Sequence, residues 1–288
     1  MTPRLRVERL TVDFGTVRAV EQVSLEVGAG EAVALLGANG AGKSSFLRAV
    51  AGALRPLEGR VLLDGLDLAD TAVHRRARSG LVLVPEGRGL LPRLSVIDNL
   101  RLAAFGIGLR RTGAAEVRQR IDKALDTFPV LAQRRTQTSG TLSGGEQQML
   151  VIARALMMEP KVLLLDEVSL GLAPTVVEQI YEILDRLVAD GHTMIIVEQY
   201  AKVALQMVQR AYVLRKGRVV LQSTGAEGLA NPVALQEAYL GGATSGSEGL
   251  TSSGVLAGLR RAEQGGTGRR RPAGGNGRMA SNELGEAR

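Results

Sequence analysis

The residues whose chemistry is easiest to name lie in a glycine-rich segment near the start of the chain. Residues Gly37–Ser44 fit the pattern of a phosphate-binding loop, and the flanking strand and helix patterns argue against a chance lysine in a glycine-rich turn. Glycines let backbone N–H groups wrap a phosphate chain, and a helix N-terminus adds a favourable dipole. Lys43 is expected to reach the β- and γ-phosphates, and the Ser44 hydroxyl to ligate Mg²⁺. The candidate phosphate-binding residues are Gly37, Asn39, Gly40, Ala41, Gly42, Lys43, Ser44 and Ser45.

A second candidate group follows the apolar run Val162–Leu165, which has the composition of a strand buried on both faces. Asp166 is expected to hold the water shell of Mg²⁺, and Glu167 to polarise the attacking water. An acidic pair after an apolar strand is weak evidence by itself, because many strands end in a solvated aspartate. Its weight comes from the other motifs in the same chain.

The third group is Ser143, Gly144 and Gly145, which open a helical pattern shortly before the acidic strand. Backbone N–H groups exposed at a helix start make a second candidate anion site in one chain. A lone Ser-Gly-Gly is usually a helix cap or a hinge. In the company of the phosphate loop and the acidic strand, a role in nucleotide binding is the better interpretation.

These groups need elements that bring strand ends together. Strand patterns alternate with helical patterns, which predicts an α/β sheet whose ligand sits at the carboxyl ends of its strands. Residues 95–135 carry helical patterns instead of strands. After residue 240 the chain becomes rich in Gly, Ser and Arg and loses its periodicity, so residues 241–288 are predicted to be a disordered basic tail.

The composition restricts the classes of function. With 288 residues, 45% of them hydrophobic, the chain can bury a sizeable core, and no stretch approaches the roughly 18 apolar residues of a membrane span. The start lacks the apolar segment of a secretory signal.

The absence of cysteine excludes thiolate chemistry and favours a cytosolic address, and two histidines argue against a multi-histidine metal site. The net charge is +7, but no basic run interleaves with aromatics, so no nucleic-acid partner is expected.

Taken together, the three motifs resemble those of the ABC ATPases, over about residues 4–242. The resemblance implies an α/β fold with a P-loop NTPase (RecA-like) core of ABC ATPase type, an N-terminal antiparallel β-subdomain and an inserted helical subdomain. The implied core is residues 1–86 and 141–240, and the implied helical subdomain is residues 87–140. ATP and Mg²⁺ are the implied cofactors. A second ABC ATPase subunit is expected to pack head to tail, so that Ser143 and Gly145 contact its nucleotide.

Further site residues follow from the resemblance, position by position. Phe14 stands where an aromatic ring usually stacks on adenine, and a buried core phenylalanine is the alternative. Most ABC ATPases have Gln where this chain has Glu86, and a histidine that contacts the γ-phosphate where it has Gln199. The implied catalytic residues are Glu167, Gln199 and Lys43, the implied metal ligands are Ser44, Glu86 and Asp166, and the implied nucleotide contacts outside the phosphate loop are Phe14, Ser143, Gly144 and Gly145.

The two replacements occur together in one subfamily, the F-type (LivF-type) ATPases of branched-chain amino acid importers. The segments that resemble its motifs are Pro85–Arg88, Leu142–Leu150, Ser169–Pro174 and Val197–Gln199. Two positions depart from the pattern. Val168 replaces the proline usual after the acidic pair. Tyr200 replaces the Asn often seen after Val-Glu-Gln in branched-chain ATPases, and in this respect the chain is similar to the ATPases of urea and short-amide importers.

The resemblance therefore implies an ATPase subunit that energises an importer of branched-chain amino acids, or alternatively of urea or short amides, at the cytoplasmic face of the membrane. Transmembrane permease subunits and, indirectly, a solute-binding protein are the expected partners. Two other classes stay open. The sequence pI of about 10.2 is the only support for a soluble ABC ATPase acting on nucleic acid or ribosomes. Glu86 and Gln199 suggest a non-catalytic regulatory subunit.

Overall fold

The structure is a computed structural model, and it describes residues 3–106, 113–199 and 204–224. The strands are β1 (Leu5–Phe14), β2 (Val17–Val27), β3 (Ala32–Leu36), β4 (Glu58–Leu63), β5 (Leu66–Asp67), β6 (Leu81–Val84), β7 (Val162–Asp166), β8 (Met194–Glu198), β9 (Arg210–Arg215) and β10 (Arg218–Thr224). The helices are α1 (Lys43–Val50), α2 (Val73–Arg78), α3 (Val96–Gly106), α4 (Ala114–Thr127), α5 (Pro129–Ala132), α6 (Gly144–Leu156) and α7 (Pro174–Ala189), and a 3₁₀ turn covers Ser139–Thr141. Within these ranges no helix combines the length and the apolar character needed to cross a membrane.

A six-stranded sheet in the order β10-β9-β3-β8-β7-β6 positions the candidate site. Strands β9, β3, β8, β7 and β6 pair in parallel, and β10 pairs antiparallel to β9. Every residue of β3, β7 and β8 is buried, as expected for parallel strands covered on both faces. Because these strands are parallel, their carboxyl ends meet at one edge of the sheet. The phosphate loop and Gln199 follow strand ends at that edge, and the acidic pair spans the end of β7.

Alternate residues of the central strands enter two separate cores. In β3, Ala34 and Leu36 belong to a core shared with α3, α4, α6 and α7, whereas Val33 and Leu35 belong to a core shared with α1, β1 and β2. This alternation follows from the pleat of a strand, which sends successive side chains to opposite faces. The parallel sheet therefore has a helical layer on one face, and α1 with the antiparallel strands on the other.

The antiparallel strands form a four-stranded sheet in the order β2-β1-β4-β5. Strands β1 and β2 pair along most of their length, with register shifts near Arg9 and Gln22, whose φ angles of 46° and 49° bend the ribbon. This sheet is the expected N-terminal antiparallel element. Together with the parallel sheet and its helices, it confirms the predicted α/β fold class.

Helices α3, α4 and α5 lie between β6 and β7 in the sequence, and all three contact α6. They fall within residues 87–140, where the sequence predicted a helical subdomain. The exact division of the chain into core and subdomain stays a prediction. The predicted tail, residues 241–288, lies outside the described residues.

Candidate functional site

The phosphate-loop segment connects the buried strand β3 to helix α1. Gly42 precedes α1 with a φ of 105°, and no side chain caps the N–H groups of this helix start. A Cβ at Gly42 would collide with the carbonyl oxygen of Ala19, and a Cβ at Gly37 with that of Leu214. Glycine is therefore required at both ends of the loop, because the backbones of β2 and β9 press against it.

Lys43 begins α1, and its side chain is buried among backbone and carboxylate oxygens. Its Nζ donates hydrogen bonds to the carbonyl oxygens of Gly37 at 2.8 Å and Ala38 at 3.2 Å. The same Nζ lies 3.1 Å from Oε1 of Glu167. The fold thus brings two residues predicted to be catalytic, one from each motif, into direct contact.

Asp166 and Ser44 form the part of the site suited to a divalent cation. The Ser44 hydroxyl donates to Oδ1 of Asp166 at 2.8 Å, whereas the buried Oδ2 has no hydrogen-bond partner. Burial raises the pKa of Asp166 above its ordinary value, and the Ser44 hydrogen bond opposes this rise. An orphaned carboxylate oxygen beside a hydroxyl is the kind of hard-oxygen environment that Mg²⁺ completes, so these residues fit the ion.

The cation would take most of its other ligands from phosphate and water. Among the described residues, no group of three or more His, Cys, Asp or Glu could hold a metal by itself. Mg²⁺ is commonly bound in this way, with one or two protein ligands, substrate phosphates and retained waters. The fit of Asp166 and Ser44 therefore also favours a phosphate-bearing substrate at the same place.

Glu86 lines a cleft together with Asp166 and Glu167. The cleft has a volume of about 370 Å³ and is lined by Pro85–Arg88, Gln148, Asp166, Glu167 and Leu170. The charges of Glu167 and Glu86 both contribute to the raised pKa of Asp166, after burial itself. Three carboxylates thus converge where the sequence placed a metal and an attacking water, although Gln148 was not among the predicted residues.

Gln199 follows the end of β8, next to the strand that carries the acidic pair. In the parallel register Asp166 lies opposite Val197, and the N–H of Glu167 donates to the Val197 carbonyl oxygen at 3.0 Å. Gln199 is half-buried at this edge of the sheet. The order of strands therefore places Glu167 and Gln199 at neighbouring strand ends, as the predicted roles require.

Phe14 ends β1, and its ring is 48% exposed. That exposure makes the alternative of a buried core phenylalanine wrong. Strand β2 passes the phosphate loop at Ala19, whose carbonyl oxygen lies against Gly42. Phe14 is thus an exposed aromatic residue on the ribbon that passes the loop, and stacking on adenine stays a prediction.

The Ser143–Gly145 segment forms the N-terminus of helix α6, with Ser143 as the N-cap. Ser143 caps the helix: its hydroxyl accepts from the N–H of Glu146 at 3.3 Å, and its own N–H donates to the Glu146 carboxylate at 2.8 Å. Ser143 is exposed and Gly145 is buried. None of the three residues Ser143–Gly145 lines the cleft beside Asp166, although Gln148 of the same helix does.

Sequence reasoning missed two sets of contacts around this site. Arg88 Nη1 donates to Oε1 of Gln147 at 2.5 Å, which ties the Pro85–Arg88 loop to the start of α6. Tyr181 donates to Glu198 at 2.9 Å beneath the acidic pair. The only sequence signal for the second set is a glutamate that ends the apolar run of β8.

Comparison with known proteins agrees with this geometry. The family model described as "ABC transporter" matches residues 20–169, just over half of the chain. This chain belongs to the ABC transporter family. As a member of it, the chain is an ATP-binding subunit and an ATPase of a transporter.

Individual relatives match most of the chain. The chain is 44% identical over 238 residues, 83% of this chain and 100% of the relative, to the high-affinity branched-chain amino acid transport ATP-binding protein BraG of Pseudomonas aeruginosa. It is 34% identical over 224 residues, 77% of this chain and 93% of the relative, to the probable branched-chain amino acid transport ATP-binding protein LivF of Archaeoglobus fulgidus.

Solved ABC cassettes share the fold. One is the ADP conformation of an ATP-binding cassette of an ABC transporter, with a TM-score of 0.74, 26% identity and coverage of 84% of this chain and 100% of that chain. Another is the dimeric, post-hydrolysis state of an ATP-binding cassette bound to ADP and Pi, with a TM-score of 0.66, 26% identity and coverage of 76% and 98%. Nucleotide binding and pairing of cassettes are thus both seen within the family.

Proposed function

We propose that this chain hydrolyses Mg-ATP to energise an importer of branched-chain amino acids. The observation that carries the proposal is the 44% identity to BraG along that protein's whole length. The segments Pro85–Arg88 and Val197–Gln199, which resemble the branched-chain subfamily, both lie at the candidate site. We propose the cytoplasmic face of the membrane as its place of work, with transmembrane permease subunits and a solute-binding protein as partners.

In the proposed reaction, positioning and electrostatic stabilisation account for most of the rate enhancement. The N–H groups of the phosphate loop and the Lys43 ammonium offset the charge of the ATP phosphates. Ser44 and Asp166 would hold Mg²⁺, and Glu86 is a further candidate ligand. The ion would supply positive charge that offsets the negative charge developing on the phosphate oxygens.

The attacking water is assigned to the Glu167 carboxylate, which lines the cleft. In the structure that carboxylate is paired with Lys43. ATP phosphates offer the same ammonium a stronger, charge-assisted partner, so nucleotide binding frees Glu167 to orient or deprotonate water. Gln199, at the neighbouring strand end, is assigned to the γ-phosphate.

The second candidate anion site is assigned to a partner subunit's ATP. Ser143 and Gly145 lie outside the cleft of their own chain, and exposed Ser143 is free to face another molecule. In a head-to-tail pair, each chain supplies its phosphate loop to one ATP and its helix α6 start to the other. Closure of that pair would be transmitted from the Glu86 loop to α6 through the contact of Arg88 with Gln147. Helices α3–α5, which contact α6, would pass it on to a membrane partner.

Replacement of Glu167 by Gln tests the mechanism. The variant keeps the shape of the side chain and loses its charge, so we expect ATP to bind while steady-state hydrolysis falls by about 100-fold or more. A nucleotide-bridged dimer should accumulate and be visible by size-exclusion chromatography. Glu178→Gln, an exposed change on α7, is the matched control. Undiminished turnover in Glu167→Gln would refute the assignment.

The transported solute needs a separate experiment. Tyr200 favours urea or short amides as a second candidate, because that residue resembles their importers. Reconstituted with its permease and solute-binding protein, the chain should hydrolyse ATP faster when leucine, isoleucine or valine is added. Stimulation by urea alone would assign it to the other importer class.

A further inference from the structure

Glu198 is a buried carboxylate that the proposed nucleotide contacts leave without a role. It ends β8, directly before Gln199, and its residue is only 2% exposed. Burial raises its pKa, and the charge of Glu167 adds to the rise. A buried carboxylate is costly unless donors satisfy it, so its neighbours show what holds it there.

Three donors point at the Glu198 carboxylate. Oε1 accepts from the Tyr181 hydroxyl at 2.9 Å and from the Ser169 N–H at 3.2 Å. Oε2 accepts from the Ser169 hydroxyl at 2.8 Å. Burial, followed by the charge of Glu198, raises the pKa of Tyr181 well above its ordinary value, so its hydroxyl remains a donor. Both oxygens are thus satisfied by the protein itself.

These bonds fasten the turn that carries Glu167. Glu167 has a φ of 48°, a left-handed conformation that residues other than glycine rarely adopt. Its N–H bonds the Val197 carbonyl oxygen at 3.0 Å, and two residues later Ser169 bonds Glu198 twice. Such strained residues persist only where surrounding contacts hold them in place. The end of β8 holds the Glu167 turn at two points, at the Glu167 N–H and at Ser169.

We propose that Glu198 is a positioning residue for ATP hydrolysis: clamped by Tyr181, it fixes the Glu167–Ser169 turn and thereby the direction of the Glu167 carboxylate. Glu198 does not touch the cleft, and it acts through the backbone of its neighbours. The same anchor holds the strand end from which Gln199 departs. The inference rests on the role assigned to Glu167 in the proposed function.

Two substitutions separate positioning from charge. In Glu198→Gln the amide oxygen can still accept from Tyr181 and Ser169, and the amide nitrogen can donate to the Ser169 hydroxyl. Glu198→Met keeps the length and leaves all three donors unsatisfied. We therefore expect Glu198→Gln to stay within about threefold of wild-type kcat, and Glu198→Met to lose about tenfold or more with KM for ATP unchanged, because misplaced catalytic groups slow the chemical step.

Hydrogen exchange gives a readout that does not depend on turnover. In the full-length chain, amide exchange over Glu167–Ser169 should accelerate about tenfold or more in Glu198→Met and remain near wild type in Glu198→Gln. Tyr181→Phe, which removes one donor and keeps the ring, should cause smaller changes in the same direction. Tyr212→Phe, at another buried tyrosine, is its control. If Glu198→Met does not fold, Tyr181→Phe and Glu198→Gln still decide the matter.

Each outcome has a definite meaning. Wild-type kcat and exchange in Glu198→Met, or in Tyr181→Phe where the Met variant does not fold, overturn the inference. An inactive Glu198→Gln with unchanged exchange also overturns it, because the charge itself would then matter. Failure of the proposed function looks different: Glu167→Gln would keep full turnover, and the exchange measurements would still show whether Glu198 fastens the turn.

Discussion

The chain carries two helix starts suited to anions, and they are built differently. At the start of α1, a buried ammonium, a serine hydroxyl and two carboxylates converge within hydrogen-bonding distance. At the start of α6, Ser143 and Glu146 satisfy each other, and Glu146 is further paired with Arg134 at 2.7 Å. The first site has the charged groups that phosphoryl transfer needs, and the second offers a capped helix end.

Because of this difference, the two helix starts can contribute different groups to one nucleotide site. A capped helix end with glycines can contact an anion closely, but its one first-turn carboxylate, Glu146, is engaged by Ser143 and Arg134. The phosphate-loop site has the carboxylate assigned to the attacking water and the candidate metal ligands, and it is open on the side of its cleft. A complete clamp is therefore most simply made from the two unlike halves of two chains, which is the arrangement proposed above.

Loss of the ammonium at the first site should have the largest effect. Lys43→Met keeps the buried stem but removes the charge, so the affinity for ATP should fall by about 2 kcal/mol or more, roughly 30-fold. Isothermal titration calorimetry with the full chain measures this. Lys123→Met, an exposed change on α4, is expected to leave the affinity unchanged. Equal affinities in all three proteins would remove the distinction between the two helix starts.

The second site is better probed by volume than by charge. A Cβ on Gly145 would overlap Cγ1 of Val176, so Gly145→Ala should lower the free energy of unfolding by about 1 to 3 kcal/mol. A Cβ on Gly144 would come within 3.0 Å of Nη2 of Arg88, the end of a long side chain, and within 3.5 Å of Cδ2 of Leu172, an ordinary contact. Gly144→Ala should therefore be neutral or slightly stabilising, since alanine favours a helix. Urea denaturation compares the pair, and equal midpoints would contradict the predicted packing at α6.

The smallest effect is expected from the cap itself. Ser143→Ala removes the hydroxyl that accepts from Glu146, at a cost of about 1 kcal/mol in unfolding free energy. ATP affinity of the isolated subunit should not change, because Ser143 lies outside its cleft. Thr138→Ala is a matched control, since Thr138 precedes the 3₁₀ turn without a side-chain cap. Weaker ATP binding in Ser143→Ala alone would show that the two sites are not separate within one chain.

Much of the candidate site could be predicted from the sequence because its motifs are local. The phosphate loop lies between one strand and one helix, and the acidic pair follows one buried strand, so spacing and residue type were sufficient to find them. The capping of α6 is equally local, since Ser143 and Glu146 are three residues apart, but it was not predicted. The predicted α/β class also followed from local alternation of strand and helix patterns.

The tertiary structure decided what lies beside these motifs. The contact of Lys43 with Glu167 and the bonds of Ser169 with Glu198 join residues that are far apart in sequence. They depend on the parallel order β3-β8-β7, which no single segment encodes. Likewise Phe14 is exposed because its strand ends at a turn, whereas the sequence left a buried core position open as the alternative. Local spacing determined which residues are predicted to carry the chemistry, and the pairing of distant strands determined which of them meet.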